Sequence, residues 1–180
     1  YYKGIDFFIY CANELINKQG LKQLHFLFCG DGPDLEKFKY LCNEFALEDY
    51  FTFAGKRTDI KEILPSCDIG FHASKGEVGY SLSILEYMSA GLATIVPNRP
   101  STSDATRHLE TGLTYHNENI TSACEAIKLC LSDKSRNHLA SNAIKQVIAQ
   151  YDIKTTNKKI PHITPIIVIP VRILFLRILL

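Results

Sequence analysis

The chain has 180 residues and a mass of 20.3 kDa, with 46% hydrophobic and 22% charged residues. These values are ordinary for a globular chain and exclude a collagen, a wholly disordered protein, a coiled coil and a small disulfide-stapled protein. Residues 1–153 carry 15 basic and 19 acidic residues, so the body of the chain lacks the basic excess that is typical of nucleic-acid-binding proteins.

Strand-like and helix-like segments alternate along this body. Short apolar runs predict strands at residues 24–29, 50–54, 69–72, 93–96 and 113–115. Helical patterns are predicted from residue 5 to Gly20, from Pro33, from an Asp59 capping box, over 81–90, from a Ser122 capping box and over 134–151. This order predicts an α/β protein with a parallel sheet flanked by helices. Because the chain opens on a helix, we expect the sheet to lack a first strand before Lys3.

Parallel sheets bind ligands beyond the carboxyl ends of their strands, so the loops that follow the predicted strands are the candidate binding segments. These loops span residues 30–33, 55–58, 73–81 and 97–103. In the first, Gly30-Asp31-Gly32-Pro33, the glycines would let the backbone approach a ligand, and the following helix offers amides to an anion. A plain tight turn explains the loop equally well, because a dinucleotide-binding loop would need a third glycine where Leu35 stands.

The strongest motif is the segment 76–91, Gly-Glu-Val-Gly-Tyr-Ser-Leu-Ser-Ile-Leu-Glu-Tyr-Met-Ser-Ala-Gly. A glycine-bearing loop runs into the start of a helix, where backbone N–H groups and the positive end of the helix dipole suit a diphosphate. Glu86 lies about one and a half turns into this helix. Its carboxylate would repel phosphate but can accept hydrogen bonds from two ribose hydroxyls. A solvated surface carboxylate is the alternative interpretation.

Segment 76–91 resembles the nucleotide-site signature of the group 1 (family 4) retaining glycosyltransferases, Glu-Gly-Phe-Gly-Leu-x-x-x-Glu-Ala-Met-Ala-x-Gly. The matching positions are Gly79, Leu82, Glu86, Met88, Ala90 and Gly91. Other segments resemble further family motifs in the same order and spacing: Lys3-Gly4, 30–33, 53–55, 64–69 and 111–113. Each motif alone is weak, but the ordered set covers residues 3–152 and is specific.

The resemblance implies a GT-B fold, in which two Rossmann-like domains enclose the active site. Residues 1–153 match only the C-terminal, donor-binding domain. The implied reaction transfers a sugar with retention from a UDP- or GDP-linked nucleotide-sugar to an unknown acceptor, with no obligatory metal or other cofactor. The N-terminal acceptor domain, the first strand and an arginine partner of Lys3 are missing from this sequence, so we expect the chain alone to be inactive.

The resemblance also implies roles for single residues. Lys3 would act in catalysis by stabilising negative charge on the leaving diphosphate, and Glu86 would bind the ribose. The other expected donor-binding residues are a glycine loop, the backbone around the helix start and two cations after the second strand, near the base: Gly30, Gly32, Gly79, Tyr80, Ser81, Leu82, Lys56 and Arg57. A solvated surface role fits the two cations nearly as well.

Two positions depart from the family signature. Counted back from Glu86, the family's first glutamate falls on Val78, and Glu77 stands one residue earlier. Either a one-residue shift lets Glu77 serve as a catalytic carboxylate near the donor sugar, or that carboxylate is lost. Ser81 stands where the family often has glycine, so its backbone must avoid a positive φ or accept strain.

Residues 154–180 form a tail that does not fit the family. The tail holds five basic residues and no acidic one, and its apolar end is interrupted by Pro165, Pro170, Arg172 and Arg177. Such a segment is a poor membrane-spanning helix. It is either an amphipathic membrane-surface segment or a sequence foreign to the domain, and we favour the second.

The remaining signals favour structural roles. The six cysteines show no C-x-x-C pair and lie mostly in apolar runs, which predicts reduced, buried thiols. His72 is predicted to be a hydrogen-bonded histidine of the core, and His72, His108 and His116 show no metal-ligand spacing. The Ser101–Asp104 pattern predicts a helix cap, with contact to donor or acceptor as the lesser alternative. We expect a cytoplasmic protein, with peripheral membrane contact as an option.

The sequence therefore predicts a glycosyltransferase fragment that carries the donor-binding domain. One alternative is another enzyme of the same architecture, such as a sugar-nucleotide epimerase or a phosphorylase, against which the signature around Glu86 argues. The other is a non-catalytic nucleotide-binding or membrane-associated remnant, which Val78 and the tail support.

Overall fold

The computed structural model of the chain describes residues 3–75, 81–151 and 175–178. The strands are β1 (Leu24–Phe28), β2 (Phe51–Phe53), β3 (Ile69–Phe71), β4 (Ala93–Pro97), β5 (Leu113–Tyr115) and β6 (Phe175–Ile178). The helices are α1 (Ile5–Asn13), α2 (Leu35–Glu44), α3 (Ile60–Ile63), α4 (Leu82–Ser89), α5 (Pro100–Ser103), α6 (Ile120–Leu129) and α7 (Asp133–Tyr151). The five predicted strands are confirmed, each within one residue of its predicted ends.

The strands form one sheet in the order β2-β1-β6-β3-β4-β5. The pairs β1–β2, β3–β4 and β4–β5 are parallel, as predicted from the alternation of strands and helices. Strand β6 runs antiparallel to both of its neighbours. The fold is therefore the expected α/β Rossmann-like architecture with one reversed strand inside it.

The centre of the sheet differs from the prediction. We expected the position of the first strand to be unfilled, which would leave backbone groups without ladder partners on both sides. Instead, residues Phe175–Ile178 of the tail lie there, between β1 and β3. The prediction was wrong because this pairing joins parts of the chain that are far apart in sequence. The sequence shows that the end of the tail is apolar but not which strands it pairs with.

One face of the sheet is covered by α1, α2 and α6. Alternate residues of β1, Leu24 and Phe26, point into this layer and are fully buried. The ring of Phe8 on α1 contacts two strands at once, with centroid distances of 5.1 Å to Phe26 and 4.7 Å to Phe71. Aromatic packing thus holds α1 across the middle of the sheet.

The opposite face is covered by α3, α4 and α7. The ring of Tyr87 on α4 lies against Gly70 of β3, where an added Cβ would come within 2.4 Å of the ring. Glycine at this position lets α4 approach the sheet closely. The same face holds Leu27 of β1 and the buried Met88 of α4. Helix α4 ends at Ser89, shortly before β4 begins at Ala93 beside Ile69, the first residue of β3. The helix therefore runs back along the sheet, and its N-terminus lies towards the carboxyl edge.

The predicted capping box at Ser122 begins three residues too late. Helix α6 starts at Ile120, and Asn119 is the N-cap, since its Oδ1 accepts a hydrogen bond from the Ser122 amide at 2.8 Å. The Ser122 hydroxyl instead accepts a bond from the His116 amide at 3.0 Å.

The other two predicted caps are wrong as well. Asp59 precedes α3, but its carboxylate pairs with Arg57 and does not cap the helix. At α5, the hydroxyls of Thr102 and Ser103 donate to the carbonyls of Pro97 and Arg99. In both helices the polar side chains bind other neighbours instead of the first helix amides, and the local sequence pattern did not reveal those neighbours.

All six cysteines lie within the described residues, and none of them is in a disulfide. Five are buried and Cys67 is half-buried. Burial raises the pKa of the Cys42 and Cys130 thiols from the ordinary 9.0 to about 12. The five buried cysteines therefore behave as small apolar residues that pack in the core.

Candidate active site

The loops after β1 and β2 lie side by side at the carboxyl edge of the sheet. The Gly30 amide donates to the Gly55 carbonyl at 2.8 Å, which joins the glycine loop to the start of the 55–58 loop. This contact follows from the parallel pairing of β1 and β2, whose carboxyl ends meet at one edge. Two of the predicted binding segments are therefore brought together.

The glycine loop itself is a self-supporting turn with an open side. The Gly32 amide donates to Oδ1 of Asp31 at 2.8 Å, and the Leu35 amide donates to the Gly32 carbonyl at 3.1 Å, which closes a tight turn. Among the described residues, no heavy atom other than those of Gly32 and its two chain neighbours lies within 4 Å of the position that a Gly32 Cβ would take. Helix α2 begins at Leu35, two residues later than predicted, and Asp34 is held by Lys37 at 3.0 Å, which lowers the pKa of that carboxyl group. Both interpretations of the loop fit this geometry.

The two predicted base-side cations differ in their surroundings. Lys56 is exposed beside the loop. The Arg57 guanidinium pairs with the Asp59 carboxylate through two bonds, with Nε to Oδ1 at 2.8 Å, and this pair lowers the pKa of Asp59. Asp59 thus orients the planar Arg57 group. Burial raises the pKa of the nearby Cys29 thiol, and the charge of Arg57 opposes that rise.

Lys3 is positioned by the residue that follows it. Gly4 has a φ of +71°, and a Cβ added to it would lie 2.1 Å from the Ala73 carbonyl oxygen. The backbone after Lys3 therefore passes directly over the loop that follows β3. Both the left-handed conformation and the close approach require glycine. Lys3 and the start of the 73–81 loop, at Ala73, are consequently neighbours at the carboxyl edge.

Helix α4 starts at this same edge. Ser81 is its N-cap residue with a φ of −76°, so the strain that a non-glycine residue could have met at this position is avoided. The exposed Leu82 opens the helix, and the first amides of any helix have no intrahelical acceptors. Glu86 is half-buried one turn further on.

Five residues of segment 76–91 lie outside the described residues. These are Gly76, Glu77, Val78, Gly79 and Tyr80. The predictions for Glu77, Gly79 and Tyr80, including the one-residue shift of the carboxylate, therefore stay predictions.

The prediction for His72 is partly confirmed. It follows β3 and is fully buried. Its amide donates to the Ile95 carbonyl at 2.8 Å, and its carbonyl accepts from the Tyr115 hydroxyl at 3.1 Å. His72 is therefore a residue of the core that fixes the end of β3.

A polar cluster at the ends of three strands was missed by the sequence reasoning. We call it the Arg99 cluster, and it consists of Lys75, Arg99, Asn117 and Glu118. The Arg99 guanidinium donates to the Lys75 carbonyl and, at 2.8 Å, to Oδ1 of Asn117, and Lys75 Nζ lies 2.9 Å from Glu118. Each residue alone looks like a solvated loop residue, and the only signal was their placement after predicted strands.

The Arg99 cluster fixes the loop after β3 at Lys75, immediately before segment 76–80. The ion pair lowers the pKa of Glu118 and raises that of Lys75, to which the charge of Asp6 also contributes. Both carboxylate and ammonium thus stay charged around neutral pH. The cluster thus holds Lys75, the last described residue before segment 76–80, through charged contacts.

A groove of about 500 Å³ runs between the edge strand β5 and α6. His108 and Glu125 are among its lining residues, as is Asn98 of the 97–103 loop. None of the described residues predicted to bind the donor lines it. In the described part of the chain, no helix has the length and apolar character to cross a bilayer, and no three His, Cys, Asp or Glu side chains gather as a metal site would need.

Comparison with known proteins points to one family. The sequence model of "Glycosyl transferases group 1" matches residues 1–146. A Campylobacter jejuni N,N'-diacetylbacillosaminyl-diphospho-undecaprenol alpha-1,3-N-acetylgalactosaminyltransferase is 31% identical over 156 residues, which are 84% of this chain and 38% of that enzyme. An N-acetyl-alpha-D-glucosaminyl L-malate synthase of Bacillus anthracis is 26% identical over 69% of this chain and 33% of its own length. The chain thus spans about a third of the length of these relatives.

Solved structures share the fold. Anabaena HepE in complex with UDP superposes with a TM-score of 0.80 at 21% identity, over 88% of this chain and 44% of that one. The C-terminal domain of the group 1 glycosyl transferase LpcC from Francisella tularensis superposes with a TM-score of 0.68 at 24% identity, and 81% of that domain is covered. Given the family match and this shared architecture, the chain belongs to the group 1 glycosyltransferases.

Proposed function

We propose that this chain is the donor-binding domain of a retaining glycosyltransferase that uses a nucleotide-sugar. The observation that carries the proposal is the convergence of separate segments at one edge of the sheet. Gly30 bonds to Gly55, and Gly4 places Lys3 over the loop after β3. Helix α4 begins at that same edge. Ligands of open α/β sheets bind there, beyond the carboxyl ends of the strands.

The diphosphate would lie between Lys3 and the N-terminus of α4. The ammonium group and the first helix amides offer positive charge to the same anion. As the bond between sugar and diphosphate breaks, negative charge grows on the leaving group, and preorganised donors stabilise this charge. In this proposal Ser81 and Leu82 contribute backbone N–H groups, and Lys3 contributes its charge.

The nucleoside would extend from the diphosphate towards β1 and β2. Glu86 would accept hydrogen bonds from the ribose hydroxyls, since a half-buried carboxylate on α4 is an acceptor close to the helix start. The base would reach the loops that Gly30 and Gly55 join, near Lys56 and Arg57. Open space at Gly32 supports the approach of a ligand to this loop.

The related proteins support a nucleotide-sugar as the donor. Anabaena HepE has been crystallised with UDP, with UDP and glucose, and with UDP-glucose. For this chain, a uridine or guanosine diphosphate sugar is the proposed donor class. Glu77 is the proposed carboxylate near the donor sugar.

Catalysis by the chain alone is not expected. It spans 38% and 33% of two related enzymes, and the acceptor would bind to parts that these residues do not include. We propose that the purified chain binds the donor but does not transfer sugar. Sugar transfer to any acceptor by the purified 180-residue chain would contradict this statement.

Calorimetric titration of the full chain with UDP and with GDP tests the donor site. We expect one of them to bind, and Glu86→Gln to weaken that binding about tenfold, which corresponds to the loss of a hydrogen bond to a charged group. Glu36→Gln is the matched control, because Glu36 is an exposed carboxylate of α2 that pairs with Lys39. A folded chain that binds neither nucleotide, or equal binding by the Glu86→Gln variant, would contradict the proposal.

A further inference from the structure

The sheet consists of two parallel halves that do not pair with each other. One half is β2-β1, the other is β3-β4-β5, and β6 lies between them. Neighbouring strands lie about 4.8 Å apart, so β1 and β3 are separated by about 10 Å, the width of one intervening strand. Without β6, the facing edges of β1 and β3 would expose unpaired backbone groups in the middle of the fold.

Apolar side chains cover this gap on both faces. On one face Phe8 of α1 bridges it, because its ring contacts Phe26 of β1 and Phe71 of β3. On the other face Tyr87 of α4 lies against Gly70 of β3, in the same apolar cluster as Leu27 of β1. Backbone groups buried in such a place need protein partners, since unpaired buried amides and carbonyls are rare and costly.

The tail provides these backbone partners, and its strand pairs with β1 and β3 in a defined register. Phe175–Ile178 pair with all four residues of Leu24–Leu27 on β1, and Leu176 also faces Ile69 on β3. The family match ends at residue 146, so the closing strand comes from outside the family-matched part of the chain. Strand β6 runs antiparallel to both of its neighbours, whereas the three pairs that do not include β6 are parallel.

We infer that the gap between β1 and β3 is a strand-acceptor site, and that Phe175–Ile178 of the same chain fill it as the closing strand. The inference does not rest on the proposed function. It has a consequence for the site, because the Gly30 loop belongs to one half of the sheet and α4 to the other. Strand β6 supplies the backbone ladder that holds these two halves in one register.

A cysteine pair across the β1–β6 ladder tests the inference. His25 and Arg177 are directly opposed partners, and opposed residues of antiparallel strands have the Cα spacing that a disulfide needs. We expect His25→Cys with Arg177→Cys to form a bridge within one chain under diamide oxidation, identified by peptide mass mapping. The matched control, His25→Cys with Phe175→Cys, is two residues out of register and should bridge at least tenfold less.

The possible results of the cysteine experiment distinguish pairing of β6 within one chain from the alternatives. No bridge, or equal bridging by the out-of-register pair, would overturn it. A bridge that links two chains would also overturn it, because the strand would then come from a second copy.

Hydrogen exchange provides a second test that does not depend on cysteine chemistry. Leu176→Pro removes the backbone donor at the residue that faces both Phe26 and Ile69. We expect the β1 and β3 amides to exchange at least tenfold faster, whereas β4 and β5 keep their protection. Thr156→Pro, in the tail but outside β6, should leave all four strands protected. Unchanged exchange of β1 and β3 in Leu176→Pro would contradict the inference.

Discussion

Single residues fix how closely the segments of the site approach one another. Gly4 and Gly32 are both glycines of the candidate site, yet their surroundings differ. Gly4 has a left-handed φ of +71° and no room for a Cβ beside Ala73, whereas the space around Gly32 is open in the described residues. The sequence placed both in family motifs but could not distinguish them, because the distinction depends on which loop lies opposite.

Gly4→Ala should destabilise the protein by about 2–4 kcal/mol, because it combines a strained φ with a clash against a backbone carbonyl. Urea denaturation measures this change. Gly32→Ala is the control and should alter the unfolding free energy by less than about 0.5 kcal/mol. Equal stability of the two variants would show that Gly4 does not approach Ala73 as described.

Thiol reactivity should follow burial. The pKa of Cys42 and Cys130 is raised to about 12, so almost no thiolate forms at pH 8, and we expect iodoacetamide to modify half-buried Cys67 first. Mass spectrometry of the native chain checks the order of labelling. Early modification of Cys42 or Cys130 would contradict the packing of α2 or α6.

The raised pKa of these two thiols also affects stability. Because their pKa is higher in the folded chain than in the unfolded chain, the unfolding free energy should fall as pH rises from about 9 towards 12.

At the scale of elements, strand and helix positions were largely predictable, whereas their polar ends were not. An apolar run is local information, so β1 to β5 were found within one residue. A cap depends on what else competes for the side chain. The Asp59 carboxylate pairs with Arg57 instead of capping α3, and Asn119 rather than Ser122 caps α6. Local patterns cannot show such competition.

The α6 cap provides a test at this scale. Asn119→Ala removes the acceptor of the Ser122 amide and should cost about 1 kcal/mol of unfolding free energy. Thr121→Ala, one residue away from Ser122 on the exposed side of the same helix, is the control and should change little. Thermal unfolding followed by circular dichroism compares them. If the two variants lose the same stability, Asn119 is not the cap.

At the scale of the whole molecule, the order of strands and helices predicted the layered architecture and the edge where ligands bind. It did not predict that β6 would close the sheet, because the pairing joins residues 24–27 to residues 175–178. It also did not predict the Arg99 cluster, whose members stand after three different strands. Both features arise from contacts between parts of the chain that are distant in sequence, which no local pattern records.

The central claim is that the nucleotide binds at the carboxyl edge of the sheet, beside Lys3, the Gly30 loop and the start of α4, and not in the groove between β5 and α6. Hydrogen–deuterium exchange of the full chain with and without saturating UDP, or GDP if titration selects it, tests this claim directly. We predict that the nucleotide slows exchange in residues 3–6, 30–33, 55–58 and 81–86. Protection confined to residues 113–129, where most of the lining residues of the groove lie, or no protection anywhere, would contradict the account.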